Sequence, residues 1–194
     1  MEQHSLKGKK VAVLVADGFE ESEFTVPVEA LQNAGAEIEV ISLKSGNVKA
    51  WAEKEWGDEY RVDNTVDKVS SEDYDALVLP GGVMNPDLLR VNKDAVTFVT
   101  GFTEEKKPIA AICHGPWTLI ETGALKGRTV TSYPSIKTDL INAGANWEDK
   151  EVVVDMGLVT SRSPKDLPAF CKKMIEEIAE GQHLARSRGV HSLG

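Results

Sequence analysis

One histidine lies in the interior of this chain, and it directly follows a cysteine. His4 stands near the start and His183 and His191 fall in the last dozen residues, which leaves His114 alone in the body of the protein beside Cys113. A thiol next to an imidazole suits nucleophilic chemistry, because the thiolate is the reactive form and a neighbouring base generates it. The stretch Ala111-Ile112-Cys113-His114-Gly115 is a relative of the G-x-S-x-G elbow with Ala in place of the first Gly. Such a strand-to-helix turn lifts a nucleophile out of the carboxyl end of a sheet. Free N–H groups at the start of the next helix would face the same point, so Cys113 is expected to titrate well below the roughly 8.5 of a free thiol. The structural alternative is a buried cysteine beside a capping histidine.

Two other segments could complete a site. Asp17-Gly18-Phe19-Glu20-Glu21-Ser22-Glu23 puts four acids within seven residues. These acids crowd the expected ligand-binding edge; for Glu20 and Glu21 the alternative is that acids suit a first helical turn. If the helix starts near Phe19, Glu23 lies one turn in and can point back toward the elbow. A desolvated carboxyl there would stay protonated and could pass a proton to a thiolate or a substrate. Leu79-Pro80-Gly81-Gly82 closes another strand; the Gly82 N–H could join that of His114 as an oxyanion donor, or Pro-Gly-Gly could merely end the strand. Asp87, after Pro86, reads by itself as a helix cap. Cys171 sits among Leu167, Phe170, Met174, Ile175 and Ile178 at spacings of three and four, a core-facing stripe with no catalytic reading. No metal-ligand spacing is present, and no cofactor is expected.

The elements that must position these residues alternate. Val11 to Val15 is a continuous apolar run of buried parallel-strand type, and Ser22 to Ala34 follows as a helix stopped by Gly35. Ile38 to Leu43, Asp75 to Leu79 and Pro108 to Ile112 read as strands, with a helix over Asn92 to Thr103 and another starting after Gly115. Arg128 to Tyr133 reads as strand, Ile136 to Ala143 as helix, Val152 to Ser161 as a hairpin around Met156-Gly157, and Pro164 to Glu180 as a closing helix. This order implies an α/β fold with a mostly parallel sheet covered on both faces and ligands at the carboxyl ends of its strands. Ser45 to Thr65 interrupts the alternation with Trp51, Trp56 and Tyr60 among charges, and is expected to be a hairpin near the site mouth.

Composition narrows the function classes. At 194 residues, with 41% hydrophobic and 27% charged residues, one domain over residues 1–181 and a polar tail over 182–194 are expected. The longest apolar run is strand-sized, so neither a membrane partner nor a secretory signal is expected, and free thiols in a cytoplasmic setting are. A net charge of −9 argues against nucleic acid as partner.

The segments Gly18-Phe19-Glu20-Glu21-Ser22-Glu23-Phe24, Leu77-Val78-Leu79-Pro80-Gly81-Gly82, Ala111-Ile112-Cys113-His114-Gly115-Pro116 and Val159-Thr160-Ser161-Arg162 together resemble the ThiJ/PfpI superfamily, and within it the PfpI-like branch. The resemblance implies a flavodoxin-like three-layer sandwich, related to class I glutamine amidotransferases, that forms homodimers or larger rings. It implies Cys113 as nucleophile, His114 as its partner, Glu23 as the carboxyl beside the thiol, and Glu20 and Tyr133 as substrate-lining residues. An acid from the adjacent subunit completes the set in that branch, and its position falls on Asp87, where the family often has Glu. The activities implied are glutathione-independent glyoxalase, protein deglycase, intracellular cysteine peptidase and, without catalysis, a redox sensor or chaperone. Chemistry favours small reactive carbonyls or their protein adducts: a thiolate adds readily to an aldehyde, whereas an unactivated amide needs an aligned His–acid pair.

Overall fold

The computed structural model describes residues 4–182. Strands β1 (Lys10–Leu14), β3 (Glu37–Ser42), β6 (Asn64–Thr65), β7 (Ala76–Leu79), β8 (Ile109–Ile112), β11 (Val152–Asp155) and β12 (Leu158–Ser161) form the central sheet in the order β11-β12-β8-β7-β1-β3-β6. All neighbours run parallel except β11 and β12, which form the antiparallel hairpin expected around Met156-Gly157. A second sheet joins β2 (Phe19–Glu20), β4 (Asn47–Ala52) and β5 (Glu55–Arg61), and a third pairs β9 (Thr129–Val130) with β10 (Asn146–Trp147). The helices are α1 (Glu21–Asn33), α2 (Met84–Arg90), α3 (Lys93–Glu104), α4 (Pro116–Leu119), α5 (Lys137–Asn142) and α6 (Leu167–Glu180).

Period-two alternation in the strands builds the two sides of the core. Val11, Val13, Ala76, Val78, Ala110 and Ile112 face Phe24 and Leu31 of α1 and Phe170, Met174 and Ile178 of α6. Ala12, Leu14, Leu77, Leu79, Ile109 and Ala111 face Leu89 of α2, Val99 and Phe102 of α3, Leu119 of α4 and Leu140 of α5. Because both faces are covered, β7, β8 and, after Lys10, β1 are apolar at every position, which is why they are recognisable as buried parallel strands. The fold is thus a three-layer α/β sandwich.

Three local readings differ from expectation. Phe19 is not helical: it is fully buried in β2, and α1 begins at Glu21. Helix α2 begins at Met84, ahead of the cap expected at Asp87, which lies inside its first turn. The strand expected over Arg128 to Tyr133 shrinks to Thr129–Val130 and stays outside the central sheet. The expected hairpin of residues 45–65 is present as β4–β5, and its β4 pairs with β2, setting Trp51 beside Glu20. Phe19, Phe24 and Tyr60 pack ring on ring beneath it, with centroids 4.8 to 5.7 Å apart. No helix among the described residues is long and apolar enough to cross a membrane.

Candidate active site

The carboxyl ends of β1, β7 and β8 deliver the acidic loop, the Pro-Gly-Gly loop and the elbow to one edge of the sheet. Cys113 follows directly on fully buried β8 and has φ +62°. For a side chain that is not glycine this costs on the order of 1–3 kcal/mol and persists only when neighbours enforce it. Two backbone bonds do so: the Cys113 N–H donates to Ser161 O at 3.0 Å, and the Cys113 carbonyl accepts the Tyr133 N–H at 2.9 Å. Gly115 closes the turn with its N–H on Ile112 O; a Cβ there would lie 2.3 Å from Leu79 O, so only glycine lets the elbow pass this close to β7.

Opposite the thiol, the first turn of α1 presents Glu23, completely buried. The Gly81 N–H donates to its Oε2 at 2.8 Å, and Oε1 has no conventional hydrogen-bond partner. The carboxyl stands beside the Cys113 thiol. Burial pushes its pKa up to about 8, against weaker opposing effects of the thiol and of Gly81. Glu23 therefore holds a proton at neutral pH. Gly81 must lack a side chain, since a Cβ would sit 2.4 Å from Glu23 Oε2 and 2.6 Å from Cys113 Cβ.

The expectation of a strongly acidic Cys113 is corrected. Burial pushes the thiol up, and once Glu23 ionises at higher pH its charge pushes it further, while the Gly82 and His114 N–H groups pull it back. The helix meant to favour the thiolate, α4, is only four residues long, too short for an appreciable dipole. Thiolate forms here when the carboxyl keeps its proton and another base takes the sulfur's. His114 is placed for that: Nδ1 lies 3.2 Å from Cys113 Sγ, and burial pushes the imidazole pKa down, toward the neutral form.

The backbone N–H groups of Gly82 and His114, the expected oxyanion donors, act on the thiol by favouring its charged form. Tyr133 stacks on the imidazole with ring centroids 4.8 Å apart and stands exposed at the mouth. A pocket of about 460 Å³ opens above the pair. Glu20, Trp51, Glu53, Val83, Met84, Tyr133 and Pro164 wall it, and Glu23, Cys113 and His114 lie at its base. Glu20 also titrates high, chiefly through burial. A cavity of about 260 Å³ beside Ile109 and Leu158, at the opposite end of the strands, contains none of these groups.

The acidic loop divides by role. Asp17 is drawn upward by burial but held low overall by Lys44 at 2.6 Å and the Lys49 N–H at 2.8 Å. Glu21 accepts from the Asp58 N–H and the Tyr60 hydroxyl, fastening the hairpin. Only Glu20 and Glu23 face the pocket. Asp87 lies exposed in the first turn of α2, and the His114 ring nitrogens are engaged by Cys113 and Ser135 of the same chain. His183 and His191 lie outside the described residues.

Sequence reasoning passed over two contributors. Ser135 Oγ lies 3.0 Å from His114 Nε2. Asn85, fully buried, accepts the Ala16 N–H and donates to the carbonyls of Pro80 and Gly81, tying β1 to the glycine loop. Neither has a local sequence signal, since each acts on segments distant in the chain. Among the described residues no group of three or more His, Cys, Asp or Glu side chains is close enough to hold a metal ion.

A three-layer, mostly parallel sandwich with a cysteine elbow facing a buried carboxyl defines a class of flavodoxin-like α/β domains. Within that class the chain belongs to the DJ-1/PfpI family, which its residues 9–177 match. It is 47% identical over 167 residues to YraA of Bacillus subtilis, provisionally named a cysteine protease, covering 86% of this chain and 96% of that one. General stress protein 18 of the same organism is 47% identical over 169 residues, covering 87% and 96%. Deglycase PH1704 of Pyrococcus horikoshii is 44% identical over 167 residues, covering 86% and 98%. Among solved structures, Drosophila melanogaster DJ-1beta superposes with a TM-score of 0.79 at 32% identity, covering 88% of this chain and 90% of that one.

Proposed function

We propose that this protein is a cysteine-dependent, stress-protective enzyme acting on small reactive carbonyls or their protein adducts, as a glutathione-independent glyoxalase or protein deglycase. The observation that carries the reading is the buried Glu23 carboxyl, neutral at pH 7, beside the Cys113 thiol at the base of a pocket. The Cys113 proton passes to His114 Nδ1, and the sulfur adds to the aldehyde carbon. The C=O electron pair moves to oxygen, which faces the Gly82 and His114 N–H groups and takes a proton, giving a hemithioacetal. With methylglyoxal, Glu23 is left as carboxylate by giving that oxygen its proton; it takes the hydrogen of the former aldehyde carbon while His114 Nδ1–H protonates the ketone oxygen, forming an enediol. Glu23 then returns the proton to the neighbouring carbon as His114 takes the hydroxyl proton of the former aldehyde carbon. Water hydrolyses the resulting thioester to lactate and frees the thiol. On an early glycation adduct, a carbinol carrying the amine, the sulfur replaces the amine at the carbinol carbon; the C–N bond breaks, the amine leaves with the proton held on His114, and the same hemithioacetal results. The relatives named as a deglycase and as a stress protein support this reading.

A second reading is an intracellular cysteine peptidase in which Asp87 of a neighbouring copy completes a triad with Cys113 and His114. Exposed Val83, Leu88 and Val91, flanking Asp87, favour a second copy covering α2 in a homodimer or larger ring. Wild type and Cys113→Ser, assayed on methylglyoxal, a glycated peptide and casein, separate the two readings. We expect Cys113-dependent consumption of the first two substrates and none of casein. Casein cleavage without Cys113-dependent methylglyoxal loss would leave the peptidase standing.

A further inference from the structure

We propose that Ser135 is a positioning residue that holds the His114 imidazole with Nδ1 on the Cys113 thiol and connects the buried ring to solvent. This rests on Cys113 and His114 being the reacting pair. The ring is constrained on three sides: Sγ lies 3.2 Å from Nδ1, Ser135 Oγ 3.0 Å from Nε2, and Tyr133 stacks across its face with planes 23° apart. Tyr133 and Ser135 belong to one turn, pinned to the elbow by the Tyr133 N–H on the Cys113 carbonyl. Fixing the turn therefore fixes the ring. His114 is buried at the base of the pocket while Ser135 is exposed, so the hydroxyl gives Nε2 a contact with bulk water.

A hydroxyl suits this place because it both donates and accepts, whereas a carboxylate only accepts. In the resting ring, Nε2–H donates to Ser135 Oγ and the Nδ1 lone pair faces the thiol. The thiol proton moves to Nδ1, leaving thiolate and imidazolium. Nε2 then gives its proton to Ser135 Oγ as Ser135 releases its own to water. The ring is left neutral, with Nδ1–H on the thiolate and the serine hydroxyl donating to Nε2. One proton leaves sulfur, one reaches solvent, and nothing is oxidised or reduced.

The test combines ¹⁵N resonances of His114, steady-state kinetics on methylglyoxal and the pH profile of Cys113 alkylation by iodoacetamide, for Ser135→Ala, Ser135→Thr and Ser135→Asp. Ser135→Ala should move the Nε2 resonance and lower kcat about tenfold, the effect of losing one well-placed hydrogen bond, with KM within about twofold. Ser135→Thr should restore both. Ser135→Asp should shift the alkylation profile to lower pH, because a carboxylate on Nε2 favours imidazolium beside the sulfur. An unmoved Nε2 resonance in Ser135→Ala, or an unshifted alkylation profile in a folded Ser135→Asp, would overturn the proposal. If Cys113→Ser still consumes methylglyoxal, the proposed function fails while the resonances continue to report on Ser135 and His114.

Discussion

Cys113 and Cys171 are 7% and 8% exposed, so burial does not tell them apart. Their surroundings do. Cys171 packs in α6 among apolar neighbours, and burial alone pushes its thiol up to about 11. Cys113 has the same seclusion, but also a left-handed backbone, a carboxyl and an imidazole within reach, and two N–H groups that favour its charged form. A buried thiol becomes a candidate nucleophile through the polar groups ordered around it, and the strain at residue 113 is offset by the bonds that impose it.

The comparison breaks first on activity. Cys113→Ser should abolish methylglyoxal turnover, a loss of about 10³-fold or more, while Cys171→Ala leaves kcat within about twofold and costs on the order of 1 kcal/mol of stability. Equal losses in the two variants would show that the contrast has no functional meaning. Gly81→Ala leaves both thiols intact but forces the carboxyl and Cys113 apart; with roughly 1 Å of misplacement, kcat should fall about 10²-fold. A Gly81→Ala enzyme with wild-type kinetics would mean that the Glu23–Cys113 contact is dispensable.

Labelling gives a smaller, sharper contrast. Iodoacetamide at pH 8 should modify Cys113 before Cys171 in the folded protein, because Cys113 opens on a pocket and has a base within hydrogen-bond reach, whereas Cys171 packs among apolar side chains. The carboxyl is also read out through stability. Since the folded-state pKa of Glu23 is raised from 4.5 to about 8, the native state binds more protons than the unfolded chain between those values. Its contribution to stability is present below pH 4.5 and is lost as pH rises through about 8, with a slope of up to about 1.4 kcal/mol per pH unit. Denaturant titrations across this range should show that slope in wild type and not in Glu23→Gln.

The framework was legible in the chain because buried parallel strands are apolar throughout; β1, β7 and β8 are such runs. The elbow was legible for a related reason: Cys113 and His114 interrupt an apolar strand at its end. In the acidic loop Glu23 could be set apart by its place one turn into the helix, but Asp17 and Glu21 could not be recognised as structural pins, because the hairpin and Lys44 that make them so are distant in the chain. The start of helix α2 was placed too late because Pro86 and Asn85 resemble turn residues, although Asn85 is turned inward to tie three segments together. The pKa of Cys113 was misjudged because the length of α4 and the depth of Glu23 are tertiary facts.

The most direct test of the central claim, that Glu23 moves the proton once Cys113 has captured the carbonyl, is to follow Glu23→Gln with methylglyoxal by intact-protein mass spectrometry and lactate release. The Cys113 adduct should still form while lactate release falls by about 10² to 10⁴. Lactate release at the wild-type rate in Glu23→Gln would contradict it.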